Sequence, residues 1–133
     1  MFKSIYAAQG QKRSKHNLGL FYLEGDGVPK NTKEGIRLLT EAANDGYVDS
    51  QKFLGGCYAF GEYGLKANTT EARKWFLKAC EAGDTESMLM MAMAYEIGEI
   101  GVQKNINEAK KWYRKAADLG DKTALARLKE LGE

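Results

Sequence analysis

The chain has 133 residues, 44% of them apolar and 29% charged, the composition of an ordinary soluble globular protein with one continuous core. Its 20 basic and 18 acidic residues leave a net charge of +2. The longest basic cluster, Gln11-Lys12-Arg13-Ser14-Lys15-His16, is too short to supply the converging cations of a nucleic-acid binder. No apolar run approaches the ~18 residues that span a bilayer. The first residues lack the unbroken apolar stretch of a signal peptide, so the expected address is cytoplasmic, with neither nucleic acid nor membrane as partner.

Along the chain, residues 1–10 read as half a unit, the second helix of a truncated hairpin, with Phe2 and Ala7 where Trp112 and Ala117 stand later. Residues 11–46 open with a helix whose apolar residues fall at helical spacing, Leu18, Phe21 and Tyr22. Gly25 and Gly27 stop it, since glycine permits positive φ and a tight reversal. A second helix starts at Asn31-Thr32-Lys33-Glu34, where the asparagine caps an early amide and the glutamate reaches back. Pro29 lies just upstream, outside any helix interior. Leu38-Leu39 and Ala42-Ala43 form the apolar face of this helix, and Gly46 closes the unit.

Residues 47–83 say the same again: Leu54-Gly55 with Tyr58, the glycines Gly61 and Gly64, the start signal Asn68-Thr69-Thr70-Glu71, then Trp75-Phe76, Ala79-Cys80 and Gly83. Residues 84–120 give Met91-Ala92 with Tyr95, Gly98 and Gly101, Asn105-Ile106-Asn107-Glu108, Trp112-Tyr113, Ala116-Ala117 and Gly120. Residues 121–133 contain one more first helix without a partner, a capping helix in which Lys129 takes the place of the small residue of the other units. A period of 36 to 37 residues held three times predicts an array of antiparallel helix hairpins that can bury their apolar faces only by stacking. Gly19, Gly55 and Ala92 let the second helix approach closely, and the paired aromatics fill the space between hairpins.

This pattern, L-G-x-x-Y-x-x-G-x-G-V, an Asn or Asp, then K/E-A-x-x-W-Y-x-K-A-A-x-x-G, resembles that of Sel-one-like repeats, relatives of tetratricopeptide repeats. The resemblance covers nearly the whole chain. The turns "GEYG" and "GEIG" depart from it by one residue more than the "GDG" of the first unit. It implies an all-α fold, a right-handed α-solenoid with a concave inner face, in proteins that mostly act as adaptors or inhibitors by binding other proteins.

Some members of that family carry the label of β-lactamase or penicillin binder, an activity that requires a nucleophile. None of Ser4, Ser14, Ser50 and Ser87 is followed three residues later by lysine, so the Ser-x-x-Lys pairing is missing. The lone His16 has no cysteine or carboxylate at zinc-ligand spacing, and Gly25-Asp26-Gly27 lacks the strand and the Gly-Lys-Ser of a phosphate loop. The resemblance to a cysteine-rich branch of the family raises a Cys57–Cys80 disulfide. In a hairpin turning near residue 65 the two lie roughly 10 Å apart along the axis, beyond a disulfide's reach, so both are expected free and buried. No catalytic residue, cofactor or metal is expected.

By the resemblance to tetratricopeptide repeats, the first helices line the concave face. The residues expected there to contact a partner are Arg13, His16, Leu20 and Leu23, then Lys52 and Phe60, then Leu89, Met93 and Ile97. Much of this set is apolar, and apolar surface signals a partner. The expected function is binding of one protein, as an adaptor or regulator or as an immunity protein against a bacterial toxin. The alternatives are self-assembly through a homodimer contact and, less favoured, an enzyme acting on β-lactam or cell-wall substrates.

Overall fold

The structure, a computed structural model, describes the backbone of residues 2–132 and the side chains of residues 9–132. The expected placements of Phe2 and Ala7 therefore lie outside the described side chains. Among the described residues the regular structure is α-helical: α1 (Phe2–Glu24), α2 (Thr32–Asn44), α3 (Val48–Phe60), α4 (Thr69–Glu81), α5 (Thr85–Ile97), α6 (Ile106–Asp118) and α7 (Lys122–Glu130). These fall into two compact units, residues 1–68 with α1 to α3 and residues 69–133 with α4 to α7.

In the first unit α2 packs against both α1 and α3. The α1–α2 contact is made at backbone range. A Cβ added to Gly19 would lie 2.8 Å from Leu39 Cγ and 3.0 Å from the Gly35 carbonyl. One added to Gly35 would lie 2.8 Å from the Gly19 carbonyl and 2.7 Å from Leu23 Cδ2. Two glycines facing each other thus bring the helices together, and Leu23, Leu38, Leu39, Ala42 and Ala43 close around the contact. In the second unit the same register positions are Ala92 and Ala109, both fully buried. There α5 packs against α4 on one side and α6 on the other, and α6 also carries α7. Trp75, Phe76, Met91 and Tyr113 fill the core of this unit, while Lys78 and Lys115 hold their ammonium groups 4.9 and 4.5 Å from the Trp75 and Trp112 rings.

The start signals work as expected in two places: Asn31 Oδ1 accepts from the Glu34 amide at 3.1 Å, and Asn105 Oδ1 from the Glu108 amide at 3.0 Å. A second capping position recurs where each repeat passes into the next. Asp84 accepts from the Ser87 amide at 2.9 Å and Asp121 from the Ala124 amide at 2.8 Å. The glycines just before them, Gly83 and Gly120, have φ of 89° and 96°, as does Gly46 at 94°.

One expected boundary is corrected. The half unit was to end at Gly10, yet α1 runs unbroken through that residue to Glu24. Gly10 is followed by Gln11-Lys12-Arg13, strong helix formers, and not by a capping aspartate, so nothing competes with continuation. The glycine costs the helix only about 1 kcal/mol there.

These contacts separate the glycines by role. Gly19→Ala and Gly35→Ala are expected to destabilise the protein by about 1–3 kcal/mol, because overpacking against backbone and leucine outweighs the gain in helix propensity. Gly10→Ala, whose Cβ meets nothing within 4 Å, is expected to stabilise it by up to about 1 kcal/mol. Chemical denaturation of the three variants checks the opposite signs.

Candidate functional site

A helix sandwiched between two neighbours needs apolar residues on two sides and no more. In α5, Met88, Met91, Ala92 and Ala94 are buried and meet that need. Leu89, Met93 and Ile97 form a further stripe at i, i+4 and i+8, one side of the helix. Leu89 is half-buried, while Met93 is 54% and Ile97 59% exposed. Leu89 and Met93 line a depression of about 340 Å³ whose other walls are Glu96, Tyr113, Thr123 and Arg127. The same column in α3 runs Lys52, Gly56, Phe60, and Phe60 is 77% exposed. In α1 it runs His16, Leu20, Glu24. Phe60 and Ile97 each stand just before the left-handed glycine that ends their helix, Gly61 and Gly98, so nothing that follows covers them.

The rim of the α5 depression is held by charge. Tyr113 donates its hydroxyl to Glu96 Oε2 at 2.8 Å, and Arg127 pairs with Glu96 Oε1. One largely buried carboxylate thereby ties α5 to α6 and α7. Sequence reasoning missed Arg127 and read Tyr113 only as core. A signal existed: Tyr113 brings a hydroxyl to the position of Phe76 and Leu39, in the same unit that brings Glu96 to the position of Ala59 and Leu23.

Two expected contact residues are not on the surface. Leu23 is 1% exposed, because Gly35 leaves room for its side chain between the helices. His16 is 9% exposed; its Nδ1 is 2.8 Å from Ser50 Oγ, and its ring lies 5.2 Å from that of Tyr47. The second unit explains this pairing. There the serine at the same position, Ser87, donates its hydroxyl to the capping Asp84 at 2.7 Å. Tyr47 stands where that aspartate would be and makes no side-chain cap, so the Ser50 hydroxyl is left to the histidine. Burial pushes the His16 pKa below its ordinary value, with Asp49 opposing in part. Leu20 and Lys52 are half-buried, and Arg13 is exposed. Cys57 and Cys80 are free and buried, with pKa values pushed up to about 11 and about 12 by desolvation, so neither presents a reactive thiolate.

Two outcomes follow. Since native His16 binds its proton less readily than the unfolded chain, stability is whole above about pH 6.5 and is lost as the pH falls from there towards the lowered native value. Urea midpoints between pH 7 and pH 5 should drop more for the wild type than for His16→Gln. At pH 8 a thiolate-specific disulfide reagent should label the folded chain roughly 100-fold or more slowly than the urea-unfolded chain, in line with the raised thiol pKa values; equal rates would show the thiols exposed.

Comparison with known proteins adds to this geometry. The Sel1 repeat matches residues 13–47, 48–84 and 85–121. Among solved structures, a Sel1 repeat protein from Oxalobacter formigenes is 34% identical with a TM-score of 0.76, covering 96% of this chain and 98% of that one. A protective antigen of uropathogenic Escherichia coli with an SLR fold is 33% identical with a TM-score of 0.74; the match takes in 92% of this chain and only 26% of that larger protein. Helicobacter pylori cysteine rich protein B is 26% identical with a TM-score of 0.68, over 95% and 96% of the two chains. The fold is thus the all-α helical-repeat solenoid class, typically a protein-interaction module, and the chain belongs to the Sel1 repeat family.

Proposed function

We propose that this protein is an interaction module without chemistry of its own, binding one protein partner through the outward stripes of its first helices, as an adaptor or regulator or as an immunity protein that blocks a toxin. The observation that supports it most is the α5 stripe. Leu89, Met93 and Ile97 cover one side of a helix whose packing is already complete without Met93 and Ile97, beside a depression large enough for an apolar side chain. Methionine adapts its shape at low cost, which suits a surface that receives another protein's anchor residue. In the first unit the corresponding positions offer Phe60 and Leu20 as apolar members and Lys52 as a polar one, with Arg13 at the rim. The same stripes serve equally well for a second copy, which is the alternative function.

The test compares the wild type with Met93→Glu/Ile97→Glu, both shown folded by circular dichroism. Immobilised wild type should retain one protein from lysate of the source organism, and the double variant should hold it at least about 30-fold more weakly, the loss of a central hot spot. Undiminished capture by the variant would move the site elsewhere. A mass that rises with concentration by light scattering, and only in the wild type, would make the partner a second copy.

A further inference from the structure

The turn after the first helix is one residue longer in the second and third repeats than in the first, and the extra residue is not idle. In the third repeat Ile100 takes φ of 47°, and its carbonyl accepts a hydrogen bond from Arg73 Nη1 at 2.7 Å. The guanidinium lies so close over the turn that a Cβ on Gly101 would be 2.2 Å from Arg73 Nη1 and 2.7 Å from Thr69 Oγ1. The turn is thus filled by an arginine from the start of α4.

The second repeat builds the same turn. Tyr63 takes φ of 54°, and Thr32, Lys33 and Ile36 at the start of α2 stand beside Tyr63, Gly64 and Leu65. Each of these six lies 37 residues before its counterpart in the other unit, Thr69, Thr70, Arg73, Ile100, Gly101 and Val102. Ile36 holds the arginine's position and has no donor to give the Tyr63 carbonyl. The space remains open, a depression of about 390 Å³, and a Cβ on Gly64 would meet nothing within 4 Å.

We propose that this depression is a receptor site for an arginine side chain of a partner protein. The guanidinium donates to the Tyr63 carbonyl as Arg73 donates to that of Ile100, and its methylenes lie along Ile36 and Leu65. Beyond the lining, the nearby charge favours a cation. Tyr63 donates its hydroxyl to Glu24 Oε1 at 3.3 Å, and its pKa is raised by burial first and then by the Glu24 and Glu62 carboxylates, which lie near that hydroxyl. Lys33 is the one cation among the lining residues, and its long stem lets the ammonium swing to solvent. An aliphatic anchor would cover the carbonyl without replacing its hydrogen bonds, which is costly. Arginine supplies both an apolar stem and a planar set of donors, which lysine's point charge does not. The site lies on the turn side of the first unit and does not rest on the stripe proposed above.

The probe is a blocked arginine, N-acetyl-arginine methylamide, titrated to on the order of 50 mM into the isotope-labelled full chain, with blocked lysine and blocked leucine alongside. Expected are saturable amide shifts at Ile36, Tyr63, Gly64 and Leu65 with a dissociation constant of roughly millimolar, as befits so small a ligand. Blocked lysine should bind about fivefold or more weakly. Ile36→Arg, folded by circular dichroism, should fill the site from within and abolish the response. Arg73→Ile should open the counterpart and bring arginine-dependent shifts at Ile100, Gly101 and Val102. A silent wild type overturns the proposal, as does a response to blocked leucine equal to that to arginine, or a folded Ile36→Arg that still responds. Because no partner protein enters the measurement, failure here leaves the stripe's function standing, and loss of the stripe's partner leaves this site standing.

Discussion

Each hairpin depends on how closely two helix backbones can approach. Between α1 and α2 that distance is set by Gly19 against Gly35, where either missing Cβ would strike the other helix's carbonyl at 3.0 Å or less. With the helices that close, leucines from both sides interdigitate and the interior fills at the density proteins require. The second unit relaxes the constraint by one methyl on each side, Ala92 and Ala109, and still buries both completely. The remaining features hang on this separation: the capped starts, the turns that reverse the chain, and the columns of side chains left facing outward.

Repetition makes the separate devices legible, because each position is seen three times with different occupants. Where the aspartate of Asp84 and Asp121 becomes Tyr47, a local cap is exchanged for a ring contact with His16. Where Arg73 becomes Ile36, a filled turn becomes an open one. Where Phe76 becomes Tyr113, a carboxylate appears opposite the new hydroxyl. None of these exchanges disturbs the period, since each changes a side chain at a position whose backbone is already set by its neighbours.

The helices, their caps at Asn31 and Asn105 and the small residues between them were legible in the sequence because they follow from local rules: spacing, capping residues and the absence of a Cβ. The site was legible only in part. Periodicity places a residue on a side of a helix, but a first helix has neighbours on two sides, and residues between the two contact lines can turn either way. Leu23 turned inward because residue 35, on another helix, is glycine; His16 did so because Ser50, on a third, had lost its aspartate. The exposure of Met93, Ile97 and Phe60 was readable because they fall squarely on the third side. The break at Gly10 was misread for the opposite reason: glycine was taken as punctuation without the cap that gives it force.

The substitution at Tyr47 has a bearing on the order in which the chain assembles. Helices α5 and α7 carry their own first-turn acceptors, Asp84 and Asp121, three residues from the amides they satisfy, so their starts can form from local chain alone. Helix α3 has no such acceptor. At its start Ser50 instead meets His16 of α1, a contact spanning 34 residues, while Gln51 donates to the Ala43 carbonyl of α2. Closing that longer loop costs entropy before the contact repays it, so the His16–Ser50 pairing is expected to form after α3 has packed on α2. A tyrosine in place of a carboxylate thus exchanges a contact within one helical turn for one that needs two separate helices in place.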